Sequence, residues 1–314
     1  MGIREASTNF TGFFKNIVKI ENGKVVFPDS LGKVDSEIYT IGSFIKMMVS
    51  KYELKKESFF KRVGNPLEKD IITFSFRNLF YEKNTDIKLL PVVQVSSGDI
   101  DIEIKLPAKI KTSSITISVQ TEFLKMFLSN DSKNKHLDRI LGKHESFLYE
   151  QILSQEMRKT AEEIIEPKSS NELKSFYMKL KAGELIYQFF EILVKREDVS
   201  NHSINASDIK ALYKVKDDAI KDLSLPPNLK ELTKIANMSE SKMVKLFKQI
   251  FGMSIYKYFQ SIRMTEAADL LKEHNLSVSD VGHQMGFTNL SHFARVFEEH
   301  VGMKPKKYSK ITHN

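Results

Sequence analysis

The chain repeats part of itself near its carboxyl end, and this repeat constrains the fold more than any other feature. Residues 241–258 align without gaps on residues 291–308, at an offset of fifty positions. Six of the eighteen aligned positions are identical, namely Ser241/Ser291, Phe247/Phe297, Gly252/Gly302, Met253/Met303, Lys257/Lys307 and Tyr258/Tyr308. Roughly one identity is expected by chance, so the match indicates a duplicated supersecondary unit, and two copies are fewer than the ~3 that a solenoid needs.

Each copy of the repeat predicts two short helices joined by a tight turn. In the first copy Asn228 and Ser239 occupy cap positions, and Asn237 is a residue type that tolerates the left-handed conformation of a turn. In the second copy Ser277 is the cap and residues 285–287 form the turn. The pattern is that of a helix-turn-helix written twice. The positions expected to face inward are Leu229, Leu232, Ile235, Met243, Leu246, Phe247 and Ile250, then Val278, Val281, Phe293, Val296 and Phe297.

The segment between the two copies predicts one long helix. Residues 254–273 contain no glycine or proline and keep helical spacing of apolar residues. A helix of about 20 residues spans ~30 Å, and successive major grooves on one side of B-DNA lie ~34 Å apart. The connecting helix therefore has a length that suits two recognition helices in adjacent grooves.

Further motif residues lie on and around the second copy. They are Arg263-Met264, Ala267, Leu270-Leu271, Val278-Ser279-Asp280-Val281, Gly286-Phe287, Ser291-His292-Phe293, Arg295-Val296-Phe297, Gly302, Pro305 and Tyr308. With these residues at this spacing, residues 219–310 resemble the DNA-binding domain of the AraC/XylS family of transcription regulators. The resemblance implies an all-α domain with two helix-turn-helix units that binds double-stranded DNA.

Three positions depart from the family's pattern. Thr233 and Gly282 stand where the family usually has alanine at the helix crossing, and Asn237 stands where it usually has glycine. Both crossing residues are small enough to fit, although a glycine is expected to weaken its helix by up to ~1 kcal/mol. The run Leu225-Pro226-Pro227 and the layout of the chain are also similar to the siderophore-responsive branch of the family.

The resemblance also implies which side chains meet the bases. On the first recognition helix Ser241, Val244 and Lys245 match the family's groove-facing positions. Lysine donates to guanine O6 and N7, and valine offers an apolar surface to a thymine methyl group. The alternative for Lys245 is a phosphate contact or a solvated lysine. On the second helix Ser291 and Arg295 take the matching positions, and the planar fork of arginine suits bidentate recognition of guanine.

Other polar residues of this region are expected to contact the DNA backbone or to stabilise the fold. The expected backbone contacts are Lys242, Lys248, His292 and Asn289. Arg263, on the connecting helix, is either part of an internal ion pair or a phosphate ligand. The histidines at 283, 292 and 300 do not have the spacing of a zinc site, so no metal is expected here.

Residues 1–140 are expected to form a β-rich domain. Residues 70–77, 98–106 and 114–119 alternate apolar and polar side chains, and Gly, Pro, Asn and Asp separate such runs. Short strands of this kind predict an antiparallel sandwich or barrel, and hence an α+β chain. By resemblance this domain is a cupin-like barrel that senses a ligand or dimerises.

Residues 141–198 are expected to form a helical hairpin. Its first helix runs from Phe147 to Ile165 and is stopped by Pro167, and its second helix buries Leu173, Phe176, Leu180 and Leu185, among others. One apolar face of the hairpin either packs on the β-domain or forms a dimer interface. Residues 199–218 then read as a linker, and residues 219–314 as the tandem helix-turn-helix domain.

Composition excludes several classes of protein. The chain has no cysteine, so it cannot have a disulfide scaffold, a cysteine zinc site or the thiol nucleophile of a DNA-repair enzyme. The first histidine is His136, so the β-domain lacks the usual ligands of a metal-dependent cupin enzyme. No apolar run reaches the ~18–20 residues of a membrane-spanning helix, and the amino terminus lacks the core of a signal peptide. We therefore expect a cytoplasmic protein that is not an enzyme, has no cofactor and has no membrane partner.

The distribution of charge supports DNA as the partner. The net charge is +8, and residues 219–314 hold 14 Lys and Arg against 9 Asp and Glu, whereas the first 218 residues hold 34 against 31. Basic excess on one domain favours an anionic partner. The family resemblance implies that the chain is a homodimeric transcription regulator that contacts RNA polymerase and, as is commoner in that family, activates. Either a small-molecule effector in the N-terminal domain controls it, or that domain only dimerises or binds a protein.

Overall fold

The computed structural model describes residues 19–21, 24–80, 89–128, 134–142, 145–197, 202, 204–272 and 276–312. The chain divides into two compact units, Met1–Ala206 and Ser207–Asn314. Each unit has its own core.

Antiparallel strands dominate the N-terminal unit, as the sequence predicts. Within the described ranges the strands are β1 (Lys19–Glu21), β2 (Lys24–Val26), β3 (Gly32–Ile41), β4 (Ile45–Leu54), β5 (Ser58–Arg62), β6 (Ile71–Leu79), β7 (Val92–Ser97), β8 (Ile102–Leu106), β9 (Thr112–Gln120) and β10 (Leu148–Ile152). Eight of them form one sheet in the order β1-β2-β3-β4-β9-β6-β7-β10, and β5 pairs with β8 separately. Four helices of this unit are α1 (Thr121–Lys125), α2 (Lys135–Leu141), α3 (Gln155–Ile165) and α4 (Asn171–Leu193). Together with the all-α second unit, this confirms the α+β class.

The two faces of the large sheet have different roles because side chains alternate along each strand. On one face Met47, Phe74 and Ile117 are fully buried in a core that also contains residues of α3 and α4. Phe74 meets Phe189 of α4 with ring centroids 5.5 Å apart, in an edge-to-face arrangement. On the other face alternate residues of β3, β4, β6 and β9 turn toward the β5–β8 pair and line a cavity with it.

The helical hairpin expected over residues 141–198 is wrong in its first part. Leu148–Ile152 is a strand that pairs antiparallel with Val92–Ser96, and the helix α3 begins only after Ser154, whose side chain accepts a hydrogen bond from the Met157 N–H. The segment before Ser154 has apolar residues on both sides of Glu150 and Gln151, so its spacing fits a helix as well as a strand. The β-rich region therefore continues past residue 140.

Helix α4 also differs from the prediction in the face that it buries. Leu173, Phe176 and Leu180 were expected to point inward, yet each is more than half exposed. The buried stripe consists instead of Met178, Ala182, Leu185, Ile186, Phe189, Phe190 and Leu193. The helix carries two apolar stripes, and periodicity alone does not tell which of them meets the core.

The linker expected over residues 199–218 is replaced, over most of its length, by helix α5 (Ala206–Ala219) of the C-terminal unit. Ile209, Leu212 and Val215 are buried at a spacing of three residues. Three lysines and three aspartates surround these apolar residues, so the segment reads as polar although one face of it is apolar. Residues 198–201 and 203 lie outside the described residues.

The rest of the C-terminal unit is helical, as predicted. Its elements are α6 (Leu229–Ala236), α7 (Glu240–Phe251), α8 (Ile255–Leu270), α9 (Val278–Gln284), α10 (Leu290–Val301) and α11 (Pro305–Thr312). In α6 the buried residues are Leu232 and Ala236, whereas Leu229 and Ile235, which were expected inside, are more than a third exposed. None of the helices in the described ranges is long and apolar enough to cross a membrane.

Candidate nucleic-acid interface

Helices α6 and α7 form the first helix-turn-helix. Asn237 ends α6 in the left-handed conformation, with φ 49° and ψ 45°, as its residue type predicts. Ser239 then begins α7, because its side chain accepts a hydrogen bond from the Lys242 N–H at 3.3 Å. Met243, Leu246, Phe247 and Ile250 are fully buried, so the opposite face of α7 is the one that remains for a partner.

The predicted base-contacting residues of α7 share that outer face. Ser241 and Lys245 are exposed, and Val244 and Lys248 are half-buried beside them. At 3.6 residues per turn these four positions fall within one side of the helix. The structure therefore brings together the three side chains predicted to meet bases and one of those predicted to meet phosphate.

Lys242 points elsewhere. Its Nζ lies 2.7 Å from Oδ1 of Asp208 on α5, and the Asp208 side chain is only 8% exposed. The ammonium group that was expected to contact the DNA backbone is thus paired inside the unit. Sequence reasoning missed Asp208 because it took residues 199–218 for a linker; the buried spacing of Ile209, Leu212 and Val215 is the signal that could have found this helix.

Helices α9 and α10 form the second helix-turn-helix. A capping box begins α9, since Ser277 accepts from the Asp280 N–H and the Asp280 carboxylate accepts from the Ser277 N–H. The Ser277 hydroxyl also donates to the Asp280 carboxylate, and this hydrogen bond together with the one from the Ser277 N–H lowers the pKa of Asp280. The turn after α9 contains Gly286 at φ +73°, where an added Cβ would collide with the carbonyl oxygen of Ser224. Only glycine satisfies both the φ angle and this close approach.

The outer face of α10 matches that of α7 at the predicted offset of fifty. Ser291 and Arg295 are exposed, and Ala294 is half-buried between them. Arg295 Nη1 lies 3.9 Å from Glu299 Oε1, at the limit of an ion pair between two exposed side chains. Exposed pairs of this kind are worth ~0–1 kcal/mol, so Glu299 does not prevent the guanidinium from binding elsewhere.

The remaining two predicted backbone contacts have structural roles at the start of α10. The Asn289 side-chain oxygen accepts from the N–H groups of Ser291 and His292 at 2.9 and 3.1 Å, so Asn289 is the helix cap. The His292 ring is exposed and packs edge-on against Phe287 at 5.5 Å. Its imidazole still lies at the amino-terminal end of α10, where recognition helices meet DNA.

The connecting helix is shorter than the sequence predicts. Helix α8 has 16 residues rather than about 20, capped by Ser254 and ended at Leu270, and residues 273–275 lie outside the described ones. At 1.5 Å per residue it spans ~24 Å.

Nowhere in the part of the chain that the structure describes do three His, Cys, Asp or Glu side chains form a group that could hold a metal ion.

Comparison with known proteins agrees with this geometry. A helix-turn-helix domain family matches residues 232–311. The Msm operon regulatory protein of Streptococcus mutans is 26% identical over 136 residues, which are 43% of this chain and 49% of that protein. The transcriptional activator RhaR of Escherichia coli is 27% identical over 127 residues, which are 40% of this chain and 45% of that protein. The chain thus spans no more than about half the length of these curated relatives.

Among solved structures, a probable AraC family transcriptional regulator from Rhodopseudomonas palustris is 24% identical. The match covers 33% of this chain and 99% of that one, with a TM-score of 0.31. The match to the helix-turn-helix domain family lies where α6 to α11 build the two helix-turn-helix units. The chain therefore carries a helix-turn-helix domain over residues 232–311.

Proposed function

We propose that the chain is a sequence-specific DNA-binding transcription regulator that places α7 and α10 in two adjacent major grooves. The observation that carries this proposal is the matched outer face of the two helices. At an offset of fifty, Ser241 corresponds to Ser291 and Lys245 to Arg295, and all four side chains are exposed. Hydroxyl, ammonium and guanidinium groups are donors that read base edges in the major groove.

A selection experiment tests this proposal. The purified full chain is used to select binding sequences from a random DNA pool, and the affinity for the selected sequence is then measured. Arg295→Ala should weaken binding by ~1–3 kcal/mol and relax the preference at one base position. Lys159→Ala removes the same charge from an exposed position on α3 and should leave affinity unchanged. Failure to select any sequence would contradict the proposal, and unchanged binding by Arg295→Ala would contradict the groove orientation.

We propose further that DNA-bound protein activates transcription by contact with RNA polymerase. The support is the similarity of 127 residues of this chain to RhaR, which is named as an activator. A reporter gene with the selected sequence upstream of its promoter tests the sign of regulation. Expression should rise when the chain is supplied, and a fall would overturn this part.

We also propose that a small molecule controls the protein, because the N-terminal unit contains a cavity. The cavity is lined mainly by apolar side chains, among them Phe27, Met48 and Phe60, and also by Tyr52 and Arg77. Burial raises the pKa of Tyr52 to about 12, against the opposing influence of Arg77 and Ser114. Such a cavity suits an apolar molecule with one polar end. Its volume is about 50 Å³, whereas an apolar cavity of ~150 Å³ binds benzene, so an effector must be very small or must move the walls.

A melting screen tests this part. A ligand that enters the cavity should raise the Tm of the wild-type chain and should raise it less for Tyr52→Phe, which removes only the hydroxyl group. No rise with any metabolite would favour the alternative function.

The alternative is that the N-terminal unit dimerises without a small ligand, and the exposed stripe of α4 favours it. Leu173, Phe176, Leu180 and Tyr187 are each more than half exposed, and Gly183 between them has open space around it. Their spacing alternates between three and four residues, as in the seam of a coiled coil. A second copy of the same helix fits this spacing. Of the two alternatives, this one has the stronger support, because the cavity is small and the stripe is long.

Sedimentation velocity tests the dimer. Leu180→Glu should convert a dimer to a monomer, whereas Lys179→Glu, at an exposed position beside the stripe, should not. A wild-type chain that sediments as a monomer at all concentrations would contradict it.

A further inference from the structure

A buried arginine joins the helix between the two helix-turn-helix units to the turn of the second one. Arg263 lies on α8 and is 5% exposed. Its Nε donates to the carbonyl oxygen of Met285 at 2.6 Å, and a second guanidinium nitrogen donates to the same oxygen. A third nitrogen donates to Oε1 of Gln260 at 3.2 Å. Every nitrogen of the guanidinium is therefore used inside the protein.

Aromatic rings complete the surroundings of this charge. The guanidinium carbon lies 3.9 Å from the ring centroid of Phe287 and 5.4 Å from that of Phe259, which are cation–π distances. Burial lowers the pKa of Arg263, yet an arginine remains charged in proteins. Among the described residues no carboxylate pairs with it, so Arg263 is neither the ion pair nor the phosphate ligand that the sequence suggested.

The carbonyl oxygen to which Arg263 donates belongs to the second helix-turn-helix unit. Met285 is the C-cap residue that follows α9, and its carbonyl oxygen lies at the negative end of that helix. Phe287, which follows in the turn, packs on Phe293 of α10 at 5.3 Å. Contacts therefore run from α8 through Arg263 and Phe287 to α10.

The same connecting helix, α8, also contacts the first recognition helix, α7. Tyr258 near the start of α8 packs edge-on against Phe247 of α7, with ring centroids 5.7 Å apart. Helix α8 thus holds α7 near one end and, through Arg263, the turn before α10 near the other.

We infer that Arg263 is a positioning residue that sets α10 relative to α7, and so sets the spacing between the two base sequences that the protein reads. The inference rests on the proposed function, since it assigns both helices to DNA. A charged fork is suited to this role because it makes two hydrogen bonds to one oxygen and stacks on two rings, whereas a lysine ammonium has neither geometry. Arg263→Lys should therefore fail to replace it.

The first experiment measures the position of α10 without DNA. The chain has no cysteine, so Lys248→Cys and Glu298→Cys allow spin labels to be placed on the outer faces of α7 and α10 alone. The full chain should give a narrow distance distribution by pulsed electron resonance. Arg263→Met and Arg263→Lys should broaden or shift it, while Lys257→Met, at an exposed position on α8, should not. An unchanged distribution in a folded Arg263→Met chain overturns the inference, whatever the outcome with DNA.

The second experiment measures spacing selectivity. The DNA sequence selected by the wild type is compared with versions in which one or two base pairs are inserted or removed between its halves, and with a half recognised by α7 alone. Both Arg263 variants should bind the original spacing roughly tenfold or more weakly and discriminate less between spacings, with binding to the α7 half unchanged. An equal loss on every DNA, including that half, would indicate general damage to the domain and would overturn the positioning role. Absence of any sequence preference in the wild type would contradict the proposed function instead.

Discussion

The two helix-turn-helix units have the same backbone plan and different surfaces. Both recognition helices have 12 residues, begin after a side-chain cap and end at a left-handed glycine, Gly252 or Gly302. At the outer face, however, α7 has Lys245 and Lys248 where α10 has Arg295 and Glu298. Lysine acts as a hydrated point charge and arginine as a directional fork. The difference predicts that Arg295 on α10 discriminates between bases more strongly than Lys245 on α7 does.

The units also differ in what holds the recognition helix. Beside α7, Asp208 of α5 pairs with Lys242. Beside α10, His292 at the equivalent position packs on Phe287, which Arg263 covers from the other side. Duplication has preserved the buried apolar stripe of each helix, and the contacts around it have diverged.

The two turns should respond most differently of all to substitution. Gly286→Asn should destabilise the C-terminal unit by more than ~3 kcal/mol, which is the range of severe steric or strain effects, although Asn237 occupies the corresponding turn of the first unit. The φ of +73° suits asparagine, but a Cβ at this position meets the Ser224 carbonyl. Chemical denaturation of the full chain measures the change in the free energy of unfolding.

Gly302→Ala is the matched control for that turn. Its φ is +82° and an added Cβ meets nothing within 4 Å, so only the conformational cost of ~1 kcal/mol is expected. Equal losses in the two variants would show that backbone conformation, and not close approach, makes Gly286 necessary.

Exchanging the basic residues of the two helices should test whether α7 and α10 differ in how strongly they discriminate between bases. Arg295→Lys should cost ~1–3 kcal/mol on the selected DNA and relax the preference at one base, because a lysine cannot make the bidentate contact. Lys245→Arg keeps the charge at a position where the native lysine makes the less directional contact, so it should change affinity less. Competition binding with DNA variants at each base position measures both. If Lys245→Arg altered the preference as much as Arg295→Lys, the two helices would read bases equally.

Much of this comparison could be predicted from the sequence. The repeat and the apolar spacing predicted both turns, both caps Ser239 and Ser277, and the shared outer face of Ser241, Lys245, Ser291 and Arg295. Local signals of this kind depend on residues within a few positions of each other. The pairing of Lys242 with Asp208, across 34 positions, depends on how α5 packs against α7, and no local pattern contains that information.

The N-terminal unit shows the same limit. Alternation predicted β6, β8 and β9, whereas Leu148–Ile152 was assigned to a helix. Its apolar residues lie on both sides of Glu150 and Gln151, and this spacing fits either element until its partner β7 is known. Leu173, Phe176 and Leu180 have perfect helical spacing but lie on the outer of two apolar stripes. Which stripe is buried depends on the sheet, and only the tertiary structure supplies it.

The pairing of Lys242 should appear in the salt dependence of DNA binding. Asp208→Asn removes the carboxylate and leaves Lys242 free to reach a phosphate, so the slope of log affinity against log salt should steepen by about 0.9, the value for one added phosphate contact. Lys242→Met in the otherwise wild-type chain should leave the slope unchanged, because the ammonium is already occupied. A slope that falls by the same amount in Lys242→Met would show that Lys242 contacts DNA despite Asp208.

The smallest expected difference concerns the start of α9, where Asp280 completes a capping box with Ser277, whereas Lys242 stands at the equivalent position after Ser239 at the start of α7. Hydrogen bonds from Ser277 lower the pKa of Asp280. A carboxyl group whose pKa is lower in the folded state stabilises the fold above its unfolded pKa of ~3.9, and this contribution is lost as the pH falls through the folded pKa. Asp280→Asn should therefore lower the Tm at pH 6 and converge on the wild type once the pH is below the folded pKa of Asp280. Ser239→Ala removes a cap that involves no titrating group, so its deficit, ~1 kcal/mol for a lost cap, should be the same at both pH values. A deficit of Asp280→Asn that did not change with pH would mean that the cap acts through geometry and not through the charge of Asp280.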